Sequence, residues 1–244
     1  MPSKKLVVIS DIHGNLEALK AVLSDIDRLG LDTVACLGDN IGYGPEPDQV
    51  LALLRSRNIP SLMGNHEWGL LDERSLNWFN PQARRSLLQN RQLLSDVSFD
   101  YIKSLPVNMS IEGCLLVHAC PPDNIKTYLF EIPPARFSQI FREMAYDMCM
   151  VGHTHELMLV SFRAGQITIA PLVEGRKILD EKCKYIVNVG SVGQPRDGNN
   201  QAKYVIWDSE NRTLEVRFVP YDIKKTADKI MALGLPKINA DRLW

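Results

Sequence analysis

Five histidines are the residues with which this sequence could bind metal, together with the aspartates and asparagines beside them. Carboxylates and imidazoles without thiolates suit borderline divalent metals such as manganese, iron, zinc or nickel. In Asp-x-His and His-x-His, two ligands that are two residues apart on a loop can turn toward one ion. The segments are Asp11-Ile12-His13-Gly14-Asn15, Gly38-Asp39-Asn40, Gly64-Asn65-His66-Glu67, His118 and Gly152-His153-Thr154-His155.

Each segment has a structural alternative when it is considered alone. Asp-x-His after a strand is usually turn chemistry, and a Gly-Asp or Gly-Asn pair is more often just a turn. His118 ends an apolar run, where a hydrogen-bonded core histidine is common. Joint occurrence favours a metal centre, because no histidine remains outside these segments. Two divalent ions roughly 3.5 to 4 Å apart can bind a phosphoryl oxygen and share a hydroxide.

The elements that must position these residues are strands that end directly before them. Short apolar runs at 6–9, 33–37 and 59–63 predict three buried strands. Helices at 16–29 and 48–57 separate the strands, and Asn15 is placed to cap the first helix. This alternation predicts right-handed crossovers and a parallel sheet, whose carboxyl edge would gather the ligands.

The rest of the chain predicts a helical segment followed by many strands. Residues 67–105 are mostly helical in pattern, with Asn80 as a cap before Pro81 in the first turn, and could cover the site as a lid or form a solvated helical layer. From Val107 the pattern is rich in strands, with a helix near 134–146 and a final helix from Ile223. The fold class is therefore α/β (α+β), with two sheets stacked between helices in a single domain over residues 1–244.

Composition limits the classes of function. A formal net charge of -1 over 244 residues gives no reason to expect broad binding to nucleic acid or to a membrane surface. No apolar stretch approaches the ~20 residues that cross a bilayer. Five cysteines without a C-x-x-C pair favour reduced thiols and a cytoplasmic location. Cys36, Cys114 and Cys149 lie in apolar runs and are expected to be buried.

The order of these segments from Asp11 to His155 resembles the calcineurin-like metallophosphoesterase superfamily. The loop Asn188–Gly198, with the sequence NVGSVGQPRDG, resembles a loop of its small prokaryotic phosphodiesterase branch. The resemblance implies a four-layer α-β-β-α sandwich, in which two mixed central sheets are flanked by helices. That implication agrees with the pattern of elements.

The resemblance also implies a role for each matching residue. A hydroxide that bridges two ions would attack phosphorus in line. His66 would not be a ligand and would protonate the leaving oxygen, a role that suits an imidazole with an ordinary pKa of ~6.5. The implied metal ligands are Asp11, His13 and His155 for one ion, Asn65, His118 and His153 for the other, and Asp39 as a bridge.

Two further residues are candidates for contact with substrate. Arg196 could bind a phosphate bidentately, or it could be a surface arginine in a turn. Asn15 could contact substrate, although capping its helix is the preferred interpretation. Tyr43 could stack on a base or an aryl leaving group.

Two departures from the family pattern matter. The phosphoprotein phosphatases of the superfamily extend Gly-Asp into Asp-Arg-Gly, and the segment after Asp39 lacks that ending, which disfavours a protein phosphatase. Relatives often have glycine after the histidine that matches His118, whereas this chain has Ala119-Cys120-Pro121. Cys120 could make activity sensitive to oxidation or could be incidental, and the second interpretation is preferred.

The sequence therefore predicts a phosphoesterase with a small phosphate-ester substrate, for which a nucleotide-like compound is one candidate. Hydrolysis of a phosphodiester or phosphoanhydride bond is the leading hypothesis, and a dinucleoside polyphosphate hydrolase or a phosphomonoesterase is the alternative within this class. A non-catalytic scaffold and a metal-dependent nuclease are alternatives from other classes. A nuclease would favour a basic track, which the balanced charge does not suggest.

Overall fold

The computed structural model describes residues 5–244, apart from the side chain of Glu73. Eleven strands are described in this range. They are β1 (Lys5–Ile9), β2 (Val34–Cys36), β3 (Asn108–Ile111), β4 (Cys114–Val117), β5 (Met148–Val151), β6 (Leu157–Arg163), β7 (Gln166–Pro171), β8 (Gly175–Ile178), β9 (Lys184–Val189), β10 (Ala202–Asp208) and β11 (Thr213–Val219).

The strands form two mixed sheets. The first has the order β2-β1-β10-β11-β8 and the second has the order β3-β4-β5-β9-β6-β7. In the first sheet β1 runs parallel to β2, with Val8 opposite Ala35, and antiparallel to β10. In the second sheet β4, β5 and β9 are parallel neighbours. The carboxyl ends of β1, β2, β4 and β5 carry the predicted ligand segments.

Eight α-helices flank the sheets, and the expected caps begin two of them. Asn15 accepts a hydrogen bond from the backbone N–H of Ala18 at 3.2 Å, and Asn80 caps the helix that begins with Pro81. Two 3₁₀ helices occupy Glu73–Trp78 and Leu129–Glu131. The α-helices are α1 (Leu16–Arg28), α2 (Pro47–Ser56), α3 (Asn65–Leu71), α4 (Pro81–Arg91), α5 (Asp96–Ser104), α6 (Pro134–Glu143), α7 (Ile223–Ala232) and α8 (Lys237–Asp241).

Side-chain alternation along the strands builds the layers. In β1, Leu6 and Val8 enter the core between the two sheets, whereas Val7 and Ile9 pack toward α1. In the second sheet Leu116 faces the core between the sheets, and its neighbours on β4 face α6. Each sheet is thus apolar on both faces, and the four-layer α-β-β-α arrangement is confirmed.

Three details differ from the sequence prediction. Residues 59–63 were expected to form a strand, but only Ser61 pairs with β2, at Cys36. Pro60 has no N–H to donate, and the N–H of Met63 turns to the carbonyl of Pro106. Strand β8 and helix α8 were not predicted, since the four residues of β8 are all exposed and α8 has only five residues.

The other chain-wide expectations are consistent with the structure. None of the five cysteines forms a disulfide, and Cys36, Cys114 and Cys149 are buried. Within the described range, no helix is both long enough and apolar enough to span a bilayer. Residues 67–105 are largely helical and pack around Ile41 and Leu51. The lid role of this segment and the single-domain organisation remain predictions.

Candidate metal centre

The predicted ligand segments converge on one place, at the carboxyl ends of strands from both sheets. Asp11 lies just beyond β1, Asp39 beyond β2, His118 beyond β4 and His153 beyond β5. Backbone contacts join the loops, since the N–H of His13 donates to the carbonyl of Asp39 at 2.9 Å. All seven predicted ligands are buried.

One ligand group contains Asp11, His13 and His155, whose ligand atoms all lie within 4.8 Å of one another. Asp11 Oδ1 is 3.3 Å from His155 Nε2 and 3.8 Å from His13 Nε2. Asp11 Oδ2 accepts hydrogen bonds from Ser10 Oγ at 2.6 Å and from the N–H of His153 at 2.9 Å. Asp11 Oδ1 is buried and has no hydrogen-bond partner. A cation between these atoms would satisfy that oxygen, so the residues fit a metal ion.

A second ligand group contains Asp39, His118 and His153. His118 Nε2 is 3.4 Å from Asp39 Oδ2 and 3.1 Å from Asn65 Oδ1. The same Asp39 oxygen is 3.8 Å from His13 Nε2, which belongs to the first group. Asp39 therefore lies between the two groups, where its carboxylate could contact an ion held by either.

His66 lies beside both groups and differs from the other histidines. Its Nε2 is 4.0 Å from Asp39 Oδ2, and the ligand atoms of His13, Asp39 and His66 also lie within 4.8 Å of one another. Its Nδ1 is buried without a hydrogen-bond partner. That atom packs on Gly42, where a Cβ would lie only 2.1 Å away. Distance alone would allow His66 to be a ligand, but nothing fixes its ring by a hydrogen bond.

Backbone carbonyls orient the other four imidazoles. An imidazole that donates one N–H to a carbonyl presents the lone pair of its other nitrogen, as a metal ligand must. Each of the four has such a contact, at 2.6 to 3.0 Å. The pairs are His13 Nδ1 with Ile41 O, His118 Nδ1 with Leu37 O, His155 Nδ1 with Gln194 O, and His153 Nε2 with Lys126 O.

Five of the predicted ligands have a left-handed backbone conformation. Their φ angles lie between 50° and 69°, a region that residues other than glycine rarely adopt. Each such residue costs about 1 to 3 kcal/mol, and strain of this kind clusters at functional sites. The residues are Asp11, His13, Asp39, His153 and His155.

The carboxylates dominate the electrostatics of this region. Burial raises the pKa of Asp39, but His118 and His66 beside it lower that pKa well below its usual range. Burial acts against the charged form of His118, yet the negative charges of Asp39 and Asp11 raise its pKa to about 9. Burial lowers the pKa of His66 to about 4 despite Asp39. The site thus holds ionised carboxylates that attract positive charge.

The sequence allows Glu67 two roles, as a partner of the metal ligands or as an acid at the start of a helix, and its contacts in the structure fit both. Its fully buried carboxylate accepts hydrogen bonds from the N–H groups of Asp39, Asn40 and Gly64 at 2.9, 2.7 and 2.9 Å. The Asn40 side-chain amide adds a fourth contact at 3.2 Å. Burial and the charge of Asp39 raise the pKa of Glu67 on balance, although the backbone N–H donors act to lower it. Glu67 therefore fixes the turn that carries Asp39 onto the start of α3.

We expect Glu67→Gln to lower both stability and metal affinity. The new amide would direct its NH₂ group at backbone N–H donors, which costs about 2 to 4 kcal/mol of unfolding free energy. Displacement of Asp39 should weaken metal binding about 10- to 100-fold. Urea unfolding and metal titration measure the two effects. The same substitution at exposed Glu181, Glu181→Gln, is the control. Equal unfolding free energies and metal affinities for the two variants would contradict the role of Glu67.

Residues of the loop Asn188–Gly198 hold the segments of the metal centre in place by hydrogen bonds. Ser191 Oγ donates to the carbonyl of Asp11 at 2.8 Å, and the carbonyl of Gln194 orients His155. Asn188 Nδ2 donates to the carbonyl of Gly152 at 2.6 Å. A Cβ on Gly152 would lie 2.4 Å from Asp11 Oδ2, so only glycine fits there.

A cleft of about 550 Å³ opens onto the ligands. Trp78, Phe79 and Asn80 line it from the helical segment 67–105, and Lys126 and Tyr128 line it from the loop that follows β4. The Tyr128 ring stacks on His153 with a centroid distance of 4.1 Å. Lys126 and Tyr128 could not be selected from the sequence, because their loop contains no ligand motif.

The two candidate substrate residues have different positions. Arg196 is exposed and lines the cleft, and its guanidinium lies 5.9 Å from the centre of the Tyr43 ring. Asn15 is buried, caps α1, donates to the carbonyl of Gly193 and accepts from Thr226 Oγ1. It lies outside the residues that line the cleft, so contact between Asn15 and substrate stays an unsupported prediction.

Comparison with known proteins assigns the chain to a family. The model of the calcineurin-like phosphoesterase superfamily domain matches residues 5–212. The chain belongs to this superfamily. The chain is 39% identical to the uncharacterized protein MJ0912 of Methanocaldococcus jannaschii over 249 residues, covering 100% of this chain and 99% of that protein.

Solved structures agree with this assignment. A metallophosphoesterase from Sphaerobacter thermophilus is 34% identical, with a TM-score of 0.83 over 98% of this phosphoesterase and 97% of that chain. The hypothetical protein PH1004 from Pyrococcus horikoshii has the same fold, at 20% identity and a TM-score of 0.80 over 98% and 97% of the two chains. The resemblance and the fold that it implied are confirmed. Calcineurin-like phosphoesterases use divalent metals, and the ligand groups of this phosphoesterase could hold them.

Proposed function

We propose that the protein is a two-metal hydrolase of phosphodiester or related phosphate bonds. One observation carries the proposal: two ligand groups meet at Asp39 in a single cleft, and His66 beside them is the histidine without an orienting carbonyl. Family membership supports the hydrolase class. The small size of the cleft suits a small phosphate ester.

The proposed metal sites follow the two groups. The donors are carboxylate, imidazole and amide oxygen, which suits manganese, iron, zinc or nickel. When bound, two ions supply Lewis-acid charge and a nucleophile derived from water. The proposed ligands are Asp11, His13 and His155 for one ion and Asn65, His118 and His153 for the other, with Asp39 shared.

His66 is proposed to hold the proton that the leaving oxygen receives. Its ring lines the cleft, so its Nε2 can reach a bound substrate, while Nδ1 stays buried against Gly42. Burial favours the neutral imidazole, and the pKa of His66 is about 4. The negative charge of a bound phosphate acts in the opposite direction and helps His66 to take up the proton.

Arg196 is proposed to bind a nonbridging phosphate oxygen. Its backbone N–H donates to the carbonyl of His155 at 3.1 Å, which ties it to the first ligand group. Arg196 Nη2 donates a hydrogen bond to Gln194 Oε1 at 3.1 Å, so the guanidinium is partly held in place before substrate arrives. Guanidinium groups bind phosphate through paired N–H donors.

A substrate screen tests the proposal. Protein stripped of metal and then reconstituted with manganese is offered phosphomonoesters, phosphodiesters and dinucleoside polyphosphates. We expect turnover that appears with metal and disappears with chelator. Metal-replete protein that cleaves none of these compounds would contradict the proposal and would favour a scaffold on the same fold.

A further inference from the structure

Two cations in the cleft lack carboxylate partners. Lys126 Nζ lies 4.3 Å from the centre of the Trp68 ring, and Arg196 lies over Tyr43. Among the described side chains, no carboxylate oxygen lies within 4.0 Å of either charged group, and Lys126 Nζ donates no hydrogen bond. A ring face holds an ammonium by cation–π attraction but leaves its N–H donors free for another acceptor.

The backbones of Lys126 and Arg196 contact residues of different ligand groups. The carbonyl of Lys126 contacts His153 Nε2 at 3.0 Å, and His153 belongs to the group with His118. The N–H of Arg196 donates to the carbonyl of His155, which belongs to the group with Asp11. A substrate phosphorus bound between the groups would therefore lie in the cleft that both Lys126 and Arg196 line.

The carboxylates of the cleft do not cancel this arrangement. Among the described residues that line it, the carboxylates are Asp39 and Glu131. Asp39 faces the histidines of the ligand groups, and Glu131 is exposed. A single phosphodiester carries one negative charge, which Arg196 and the metal sites already match. Lys126 is then a cation without a counterpart on such a substrate.

We propose that Lys126 binds a second, non-scissile phosphate, so that the substrate class is a phosphoanhydride. This inference rests on the proposed function, since it names the substrate of the same site. The scissile phosphate lies at the ligand groups with Arg196, and the adjacent phosphate accepts hydrogen bonds from Lys126 Nζ. On the loop that follows β4, the Tyr128 ring stacks on His153. Lys126 is the cationic residue that this loop contributes to the cleft.

The reaction is hydrolysis of a P–O–P bridge. The hydroxyl of water bonds to the scissile phosphorus, and the P–O bond to the bridging oxygen breaks. That oxygen leaves with the electron pair on the neighbouring phosphate and receives the remaining proton of water. The products are two phosphate termini, and no oxidant or second co-substrate is needed.

The test uses a series in which two nucleosides are joined by one, two or three phosphates. The metal-loaded full chain and its Lys126→Gln variant are compared by kcat/KM on each member. We expect the variant to lose about tenfold more on the two-phosphate and three-phosphate members than on the one-phosphate member, the value of one charge-assisted hydrogen bond. Lys126→Arg should restore most of the difference.

Two controls separate this contact from general electrostatics. Lys103→Gln makes the same chemical change at an exposed site where Lys103 pairs with Asp100. Glu131→Gln removes a negative charge from the cleft and should not reduce selectivity for the longer substrates. An equal loss on all members of the series, or none, would overturn the proposal while leaving the hydrolase function intact.

A binding measurement tests the role of Lys126 without relying on turnover. Calorimetry with a methylene-bridged dinucleoside diphosphate, at a saturating excess of free manganese, measures affinity for the uncleaved ligand. We expect Lys126→Gln to weaken binding about tenfold. Unchanged affinity would overturn the role of Lys126. If the protein binds the analogue in this lysine-dependent way but cleaves no substrate, the result contradicts the hydrolase function and leaves the role of Lys126 intact.

Discussion

His66→Ala is expected to retain both metal ions while lowering kcat by about 10²- to 10⁴-fold, the usual contribution of a general acid. Among the described residues no carbonyl orients the ring of His66, whereas a carbonyl contacts one ring nitrogen of each of the four histidines proposed as ligands. Its removal therefore takes away a proton donor and leaves both ligand groups complete. Metal content per chain and steady-state kinetics on a phosphodiester measure the two parts.

The leaving group supplies an internal control for this prediction. A nitrophenolate leaves without help, so the variant should lose less on a nitrophenyl ester than on an alkyl ester. His66→Gln keeps a polar side chain against Gly42 and tests whether packing alone explains the loss. If His66→Ala binds only one ion per chain, His66 is a ligand, as its distances to His13 and Asp39 would allow.

Asp39→Asn is expected to weaken both metal sites, whereas His155→Ala should weaken only one. Asp39 Oδ1 accepts from the N–H of His66 at 2.8 Å, and an asparagine carbonyl can keep that contact. Oδ2, which lies between His118 and His13, would become an uncharged NH₂ group with no lone pair for an ion. The loss at each site should exceed the 10- to 100-fold that removal of an outer partner causes.

Metal titration with two resolvable sites measures this difference. His118→Ala is the matched partner of His155→Ala, because each removes one imidazole from a different ligand group. Each should leave about one ion bound per chain under conditions in which Asp39→Asn binds neither tightly. Loss of a single ion from Asp39→Asn would show that Asp39 does not bridge the sites.

Local sequence determined the elements and the ligand types. Short continuous apolar runs predicted β1 and β2, because a strand with the other sheet on one face and helices on the other must be apolar on both faces. Asn15 and Asn80 were recognisable as caps, since a cap depends only on the next two or three residues. Family resemblance then grouped ligands that are up to 144 positions apart, such as Asp11 and His155.

Tertiary structure decided what surrounds those ligands. The carbonyls of Leu37 and Gln194 orient imidazoles far along the chain, and every residue has a carbonyl, so no residue type marks this role. From the sequence Glu67 was either a partner of the ligands or a helix-start acid, and only the fold shows that its carboxylate binds the turn at Asp39. Lys126 was one of many lysines, and only its position in the fold separates it from those that solvent surrounds.

The sequence by itself therefore determined the layers, the donor atoms and the kind of chemistry that they permit. Those properties depend on side-chain type and on short spacings, which are written along the chain. The walls of the cleft, the orientation of each ring and the position of Lys126 in the cleft depend on distances between segments. Such distances exist only after the two sheets have packed together, because packing brings the ends of β1, β2, β4 and β5 to one edge.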